Sequence, residues 1–277
     1  MKKLIFVLVD GLRCDTAFRH MGFMEHLLEM GAASRYRVRS ELPSMSRPIY
    51  ETLMTGMPVL EHGIFSNEVS RLSKEENLFG LARENGLTTA AAAYCWFSEL
   101  YNRAPFNPVT DRLQLDADLP IQNGLFYFKD VTGAYPDSHL IADAEALRQR
   151  FNPDFLLVHP MNTDDAGHKS GSDSSDYVKS VIMIDYILSN TIPIWLGSGY
   201  TVLVTGDHGI NPWGWHGGNG DDERLVPLYI MGPAAAGGDF SETEIPQRML
   251  APLCCDLLGI PRGKKMLQPA LPGLKES

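Results

Sequence analysis

Five short apolar runs alternate with helical patterns along the chain, and this alternation constrains the fold more than any other feature. The runs have the length of buried β-strands and cover residues 4–9, 87–93, 155–159, 201–204 and 226–231. The helical patterns cover residues 17–30, 47–55, 74–85, 138–150, 174–190 and 247–258. Because parallel strands need crossover connections, the sequence predicts an α/β fold with a mostly parallel central sheet and helices on both faces.

Carboxylate and imidazole residues follow three of these runs. They are Asp10, Asp164, His168, Asp207, His208 and His216. Ligands bind beyond the carboxyl ends of the strands in open sheets of this kind. We therefore expect these side chains to meet at one edge of the sheet, where they can hold two adjacent divalent metal ions.

Two of the motifs have local features that favour this interpretation. Residues 164–168 are expected to form a loop after a buried strand, with Gly167 allowing a sharp turn, so that Asp164 and His168 close on one metal. Asp207 and His208 are flanked by Gly206 and Gly209 at a strand end, an arrangement with little structural purpose of its own.

Ser46 precedes Arg47 and Pro48 at the predicted start of a helix over 47–55. Proline suits the first turn of a helix because its missing N–H needs no partner there. Ser46 either caps this helix or directs its hydroxyl at the metals as a nucleophile, with helix-end N–H groups ready to receive a phosphate.

Composition limits the class of protein. With 277 residues, 44% apolar content and 21% charge, residues 1–277 are expected to form one domain. The net charge of −10 argues against a nucleic-acid polymer as partner. The apolar run at 4–9 is too short for a signal peptide, and no stretch approaches 18 apolar residues, so no membrane segment is expected.

The cysteines and two irregular segments complete this outline. Cys14, Cys95, Cys254 and Cys255 lack metal or redox spacing, which favours reduced thiols and a cytoplasmic location.

Residues 95–137 are rich in aromatic side chains and form either a cap or insertion over the site or an edge of the core. Residues 261–277 are expected to be a loosely packed tail.

The order of these motifs resembles the alkaline phosphatase superfamily, in particular its branch of type I phosphodiesterases and nucleotide pyrophosphatases. The resemblance extends from Val9-Asp10-Gly11 to His216-Gly217-Gly218. It implies an alkaline-phosphatase-like fold, one metal held by Asp164, His168 and His216, and a second held by Asp10, Asp207 and His208. It also implies that Ser46 is the nucleophile and bridges towards the second metal, and that Asn67 binds a phosphate oxygen.

Carboxylates and imidazoles without thiolate ligands suit Zn²⁺, with Mn²⁺ as an alternative. The function expected from the resemblance is hydrolysis of a small phosphate ester or nucleotide-like substrate through a covalent phosphoserine. Serine stands where the phosphodiesterase branch usually has threonine, which leaves the preference for monoesters or diesters open. Substrate choice is expected to lie in residues 95–137, Trp213 and Trp215.

Other enzyme classes find less support in the chain. There is no Gly-x-Ser-x-Gly elbow, no Walker loop and no Gly-x-Gly-x-x-Gly after a strand. Tyr50 occupies the position where a sulfatase motif has arginine. A phosphomonoesterase, phosphonate hydrolase or phosphomutase on the same site stays open, as does a non-catalytic metal-binding protein.

Overall fold

The computed structural model describes residues 2–129, 133–268 and 271–274. Parts of the segments 95–137 and 261–277 therefore lie outside the described residues. Nine strands are present in the described part: β1 Lys3–Val9, β2 Ala33–Arg39, β3 Thr89–Tyr94, β4 Leu113–Leu115, β5 Asn123–Tyr127, β6 Phe155–Val158, β7 Tyr200–Gly206, β8 Leu225–Met231 and β9 Gly238–Pro246.

Helices connect these strands. They are α1 Cys14–His20, α2 Gly22–Glu29, α3 Ser46–Thr55, α4 Val59–His62, α5 Leu78–Glu84, α6 Cys95–Tyr101, α7 Asp137–Phe151, α8 Asn162–Ser170, α9 Ser175–Gly197, α10 Asp221–Arg224 and α11 Leu250–Leu258, with a 3₁₀ turn at Gln247–Met249. The sequence pattern predicts one helix over residues 17–30. The structure has two helices there, α1 and α2, because the chain leaves helical geometry at Met21.

The strands form one sheet in the order β4-β5-β3-β6-β1-β7-β8-β2-β9. The central run β5-β3-β6-β1-β7 is parallel, while β8 runs antiparallel to both of its neighbours. The mostly parallel α/β architecture predicted from the sequence is confirmed. Because β6, β1 and β7 are adjacent, their carboxyl ends lie side by side at one edge of the sheet.

The sheet separates two apolar layers. Alternate residues of β1 enter opposite layers, with Phe6 on one face and Val7 on the other. Helices α3, α5 and α11 cover the first face, and α2, α7 and α9 cover the second. This double coverage explains why β1 reads as a continuous apolar run in the sequence.

Residues 95–137 extend one side of the sheet. Strand β5 pairs in parallel with β3, and β4 pairs with β5. Phe97 and Phe126 are fully buried in the core layer that also contains Phe6. The described part of this segment thus packs as an edge of the core, and Trp96 and Lys129 are its contributions to the candidate site.

Strand β2 was not predicted, because arginines alternate with its core residues. Tyr36 and Val38 are buried, whereas Arg35 and Arg39 form ion pairs with Asp239 and Glu244. Strand β9 is also half-polar, with acidic and other exposed residues around its buried Ser241 and Ile245, and its sequence does not predict a strand either.

The expectation that no segment is long and apolar enough for a membrane span is wrong for α9. By length and composition this helix passes such a test. Its inner face nevertheless packs on the sheet, where Val181, Ile184 and Leu188 are fully buried. The sequence pattern ended this helix at 190, but it continues through Pro193 to Gly197.

Candidate metal centre and active site

Two adjacent strand ends provide the centre of the site. Asp10 follows β1 and Asp207 follows β7, and the last residues of these strands, Val9 and Gly206, are register partners. Asp207 Oδ1 accepts hydrogen bonds from the backbone N–H groups of Gly11 and His208, at 3.0 and 2.8 Å. These bonds hold the carboxylate with Oδ2 turned into the site, where it has no hydrogen-bond partner.

Asp164 and His168 lie on a helix, so the loop expected over 164–168 is wrong. Both residues belong to α8, and their four-residue spacing places them one turn apart on one face, with Asp164 Oδ1 3.3 Å from His168 Nε2. The buried carboxylate of Asp137 accepts hydrogen bonds from the N–H groups of Met161 and Asn162 at the start of α8. Gly167 permits close packing of α8: a Cβ there would lie 2.8 Å from the side chain of Ile210.

The three histidines share one orientation. In each ring Nδ1 lies within hydrogen-bond distance of a backbone carbonyl, which can only accept a proton: His168 with Gly214, His208 with Gly209 and His216 with Ser44, at 2.8–2.9 Å. Nδ1 therefore carries the proton and Nε2 presents a lone pair. This is the arrangement by which a metal-binding histidine is oriented by its second nitrogen.

The Nε2 atoms converge on the carboxylates. His208 Nε2 lies 3.2 Å from Asp207 Oδ2 and 3.5 Å from Asp10 Oδ1. His216 Nε2 lies 3.2 Å from His168 Nε2 and 3.8 Å from Asp164 Oδ1. Burial lowers the pKa of His208 to about 3 and also lowers that of His216, so both rings are neutral near pH 7. Lone pairs that face each other at these distances are suited to binding a cation between them.

Among the described residues, three buried carboxylate oxygens of this cluster have no hydrogen-bond partner: Asp10 Oδ1, Asp164 Oδ1 and Asp207 Oδ2. A fourth, Asp165 Oδ2, belongs to the carboxylate that pairs with Lys129. Burial raises the pKa of Asp164 and of Asp207 well above the usual range, which expresses the cost of placing their charges together without a counter-ion. Two groups of ligand atoms each lie within 4.8 Å: those of Asp10, Asp207 and His208, and those of Asp164, His208 and His216. The unpaired oxygens and the nitrogen lone pairs together fit divalent metal ions.

Ser46 lies beside this cluster. It is the first residue of α3, it makes no capping hydrogen bond, and its Oγ lies 3.1 Å from His208 Nε2. Asn67 Oδ1 accepts a hydrogen bond from the Arg47 N–H at 3.0 Å, which leaves the Nδ2 donors of Asn67 for another acceptor. Ser46 and Asn67 line the same cavity of about 200 Å³, together with Trp96 and Lys129.

Two residues next to Asp10 were not identified in the sequence. The Tyr50 hydroxyl donates a hydrogen bond to Asp10 Oδ2, and His159 Nε2 lies 3.2 Å from the same oxygen. All three side chains are fully buried. His159 directly follows β6. A polar residue at the end of a predicted strand is the sequence signal that could have identified it as a site residue. Together, Tyr50 and His159 hold Asp10 so that Oδ1 faces the other ligands.

The remaining charged residues near the site form ion pairs. Arg47 is buried, pairs with Glu99 at 2.6 Å and lies over the ring of Trp96. Arg13 pairs with Asp15 at 2.9 Å. Lys129, which lines the cavity, pairs with Asp165.

Gly11 is required between the strand end and helix α8. Its φ is +69°, and a Cβ would lie 2.8 Å from the Asp164 Cα. Gly11→Ala should therefore add the backbone strain of about 1–2 kcal/mol to an overpacking cost of roughly 1–3 kcal/mol. Urea unfolding measures the total, and zinc titration should show weaker binding because Asp164 is displaced.

Gly31→Ala is the matched control for this substitution. Gly31 has a φ of +67°, and nothing lies within 4 Å of the position of its Cβ. This variant should show the backbone strain alone and normal zinc binding. Equal losses of stability in the two variants would contradict the proposed contact between Gly11 and α8.

Comparison with known proteins identifies the family. The type I phosphodiesterase / nucleotide pyrophosphatase family matches residues 4–216. The chain belongs to this family. Murine ectonucleotide pyrophosphatase/phosphodiesterase 5, solved in complex with AMP, has the same fold, with a TM-score of 0.71, 16% identity and coverage of 95% of this chain and 97% of that chain. A 2-O GAG sulfatase aligns with a TM-score of 0.64 at 13% identity, over 95% of this chain and 72% of that chain.

Curated relatives include longer proteins. Human GPI ethanolamine phosphate transferase 3, catalytic subunit, is 24% identical over 94% of this chain, and the human GPI ethanolamine phosphate transferase 2, catalytic subunit, is 23% identical over 84%. The chain spans about a quarter of the length of these two relatives, 24% and 23% respectively. A 2,3-bisphosphoglycerate-independent phosphoglycerate mutase from Desulforudis audaxviator is 32% identical over 41% of this chain. The names of these curated relatives describe enzymes that act on phosphate-containing groups.

Proposed function

We propose that this protein is a two-metal hydrolase of phosphodiesters or nucleotide pyrophosphates, with Ser46 as nucleophile. The observation that carries the proposal is the position of Ser46 Oγ, 3.1 Å from His208 Nε2 and next to three buried carboxylate oxygens without partners. A serine that neither caps its helix nor packs in the core has no structural role at this point.

The residues divide into two metal sites. Asp10, Asp207 and His208 would hold one ion, next to Ser46. Asp164, His168 and His216 would hold the other, with His208 close enough to contribute to either set. Zinc suits this set of nitrogen and oxygen donors. Bound there, the two ions would lower the pKa of the Ser46 hydroxyl and stabilise charge on the phosphoryl oxygens.

The protein's own groups would carry out the rest of the reaction. Ser46 Oγ attacks phosphorus in line with the leaving group. The bond to the leaving oxygen breaks, the leaving group departs with the proton from Ser46, and phosphorus stays joined to Ser46 with the second substituent of the diester still attached. The Nδ2 donors of Asn67 bind a non-bridging oxygen as its charge grows. Water then attacks the serine-linked phosphorus from the opposite side, which regenerates Ser46 and releases the second substituent as a phosphate monoester. Tyr50 and His159 keep Asp10 in position throughout.

The family and the AMP complex of the structural neighbour favour a diester or nucleotide substrate. A second candidate is transfer of the phosphoryl group to an alcohol instead of water. The sequence relation to GPI ethanolamine phosphate transferases favours it. The two reactions share the first step and differ in which hydroxyl attacks the phosphoserine.

Parallel assays test the proposal. The zinc-loaded protein should cleave bis-(4-nitrophenyl) phosphate faster than 4-nitrophenyl phosphate, and 4-nitrophenyl sulfate should stay intact. Adding ethanolamine or glycerol distinguishes the second candidate, because a transferase would then form the corresponding phosphate ester at the expense of the hydrolysis product. Bound zinc with no turnover of any ester would instead support a non-catalytic metal-binding protein.

A further inference from the structure

Lys129 contributes a cationic side chain to the wall of the cavity beside Ser46. It lies two residues after the end of β5 and lines this cavity of about 200 Å³ together with Asn67 and Asp164. Among the described residues that line the cavity, it is the only lysine or arginine. The proposed nucleophile, the amide donors, a proposed metal ligand and one ammonium-bearing side chain therefore border the same small space.

Asp165 holds this ammonium group in position. Lys129 Nζ donates a hydrogen bond to Asp165 Oδ1, and the side chain of each residue is 28% exposed. Asp165 lies in the first turn of α8, directly after Asp164, and its N–H donates to the Met161 carbonyl at 3.2 Å. Because this anchor belongs to the helix that carries Asp164, the ammonium group is held relative to the proposed metal ligands, and binding an anion costs it less side-chain entropy.

The ammonium group has the capacity to bind an anion in addition to Asp165. It carries three N–H donors, and Asp165 Oδ1 is its one acceptor among the residues that the structure describes. Lys129 lines the cavity, whereas Asp165 does not. An anion in the cavity would therefore approach the cation of this pair more closely than the carboxylate, and the net interaction would be attractive.

A second anionic group on the substrate would need such a cation. Two divalent ions carry four positive charges and the carboxylates of Asp10, Asp164 and Asp207 three negative ones, which leaves one positive charge to balance the single negative charge of a phosphodiester. A further carboxylate or phosphate beside the reacting phosphorus would have no partner at the metals, and an unpaired charge is costly in a partly buried site. The positioned ammonium group supplies that partner through a charge-assisted hydrogen bond.

We propose that Lys129 binds a second anionic group of the substrate and that Asp165 is its positioning residue. This inference rests on the function proposed above and narrows the substrate class to esters with a further carboxylate or phosphate a few bonds from the reacting phosphorus. The separation is short because a cavity of about 200 Å³ is smaller than the pockets that enclose a whole small-molecule ligand. A nucleoside diphosphate, whose second phosphate adjoins the first, meets this requirement.

Two matched esters test the role of Lys129 by binding. The P-(4-nitrophenyl) monoesters of ethylphosphonic acid and phosphonoacetic acid share the reacting phosphorus and the leaving group, and they differ in a methyl against a carboxylate group. Calorimetric titration into the zinc-loaded Ser46→Ala variant measures both affinities without turnover through Ser46. The phosphonoacetate ester should bind about tenfold more tightly, as expected for one added hydrogen bond between charged groups.

Adding Lys129→Met to this variant should abolish the preference between the two esters. Lys169→Met is the matched control, because Lys169 is exposed on α8 and does not line the cavity, and its variant should keep the preference. Thermal melting and metal analysis show whether each variant is folded and loaded. Equal affinities of the two esters before the Lys129 substitution, or a preference that survives it, would overturn the inference.

Salt and turnover complete the test. Raising the salt concentration from about 20 to about 500 mM should weaken the preference, since the Lys129 side chain is partly exposed, and a preference that ignores salt would contradict an ionic contact even if Lys129→Met fails to fold. Wild-type cleavage of both esters with equal kcat/KM would retain the proposed hydrolysis and overturn the role of Lys129. Preferential binding of the phosphonoacetate ester without cleavage of either would support Lys129 and refute the hydrolysis.

Discussion

Replacing Ser46 with alanine is expected to reduce kcat for phosphodiester cleavage by roughly 10⁴-fold or more, as loss of a covalent nucleophile does in other hydrolases. The hydroxyl lies 3.1 Å from His208 Nε2 but makes no bond that holds the helix start. The variant should therefore melt close to the wild-type temperature and still bind zinc. Steady-state kinetics, thermal melting and metal analysis on the same preparation measure the three properties.

A matched control shows whether the loss of turnover is specific to the Ser46 hydroxyl or follows the removal of any nearby serine hydroxyl. Ser170 is exposed at the end of α8, the helix that carries Asp164 and His168. Ser170→Ala should retain wild-type turnover. In the wild type, rapid quenching during turnover of bis-(4-nitrophenyl) phosphate should reveal protein carrying one 4-nitrophenyl phosphoryl group on the peptide that contains Ser46. Undiminished turnover by Ser46→Ala, or label on another residue, would refute the assignment.

Zinc should stabilise the protein strongly, and the effect should depend on Asp207. At about 100 times its dissociation constant, each bound ion contributes about 2.7 kcal/mol to the free energy of unfolding. Two ions would therefore raise the melting temperature by roughly 10 °C. The physical reason is the relief of three buried, unpaired carboxylate oxygens. Calorimetry and metal analysis after chelation and reloading measure the shift and the number of ions.

Asp207→Asn should lose one equivalent of zinc, about half of this stabilisation and nearly all of the turnover. Its amide can still accept the backbone hydrogen bonds from Gly11 and His208, so the strand end keeps its geometry. Asp118→Asn, at an exposed turn, is the control and should bind two ions. If Asp207→Asn bound two ions with normal stability, Asp207 would not be a ligand.

Several features of the site were predictable because they depend on local pattern. Asp10 and Asp207 end apolar runs, and residues at the carboxyl ends of adjacent parallel strands must lie together. The position of Ser46 at a helix start follows from Pro48 two residues later. The resemblance added Asn67, which no spacing rule would have selected.

Other features depend on contacts that a single sequence does not display. Residues 164–168 contain two aspartates and a glycine and resemble a turn, but they are helical. Asp137, from a distant part of the chain, binds the N–H groups at the start of that helix, and Gly167 fits against Ile210. In the sequence, Tyr50 only argues against a sulfatase. In the structure, its hydroxyl donates a hydrogen bond to Asp10 and holds that carboxylate in place.

The sequence by itself determined the α/β class, the parallel strands at the centre of the sheet and the edge at which the polar residues collect. These properties follow from alternation and from chain connectivity, which are local. Only the tertiary structure decided the orientation of each ligand, because that depends on backbone carbonyls and buried side chains from distant segments. The three histidines show this most clearly. Their positions along the chain indicate candidate metal ligands, but it is the backbone carbonyls of Ser44, Gly209 and Gly214 that orient the rings so that the Nε2 atoms face the site.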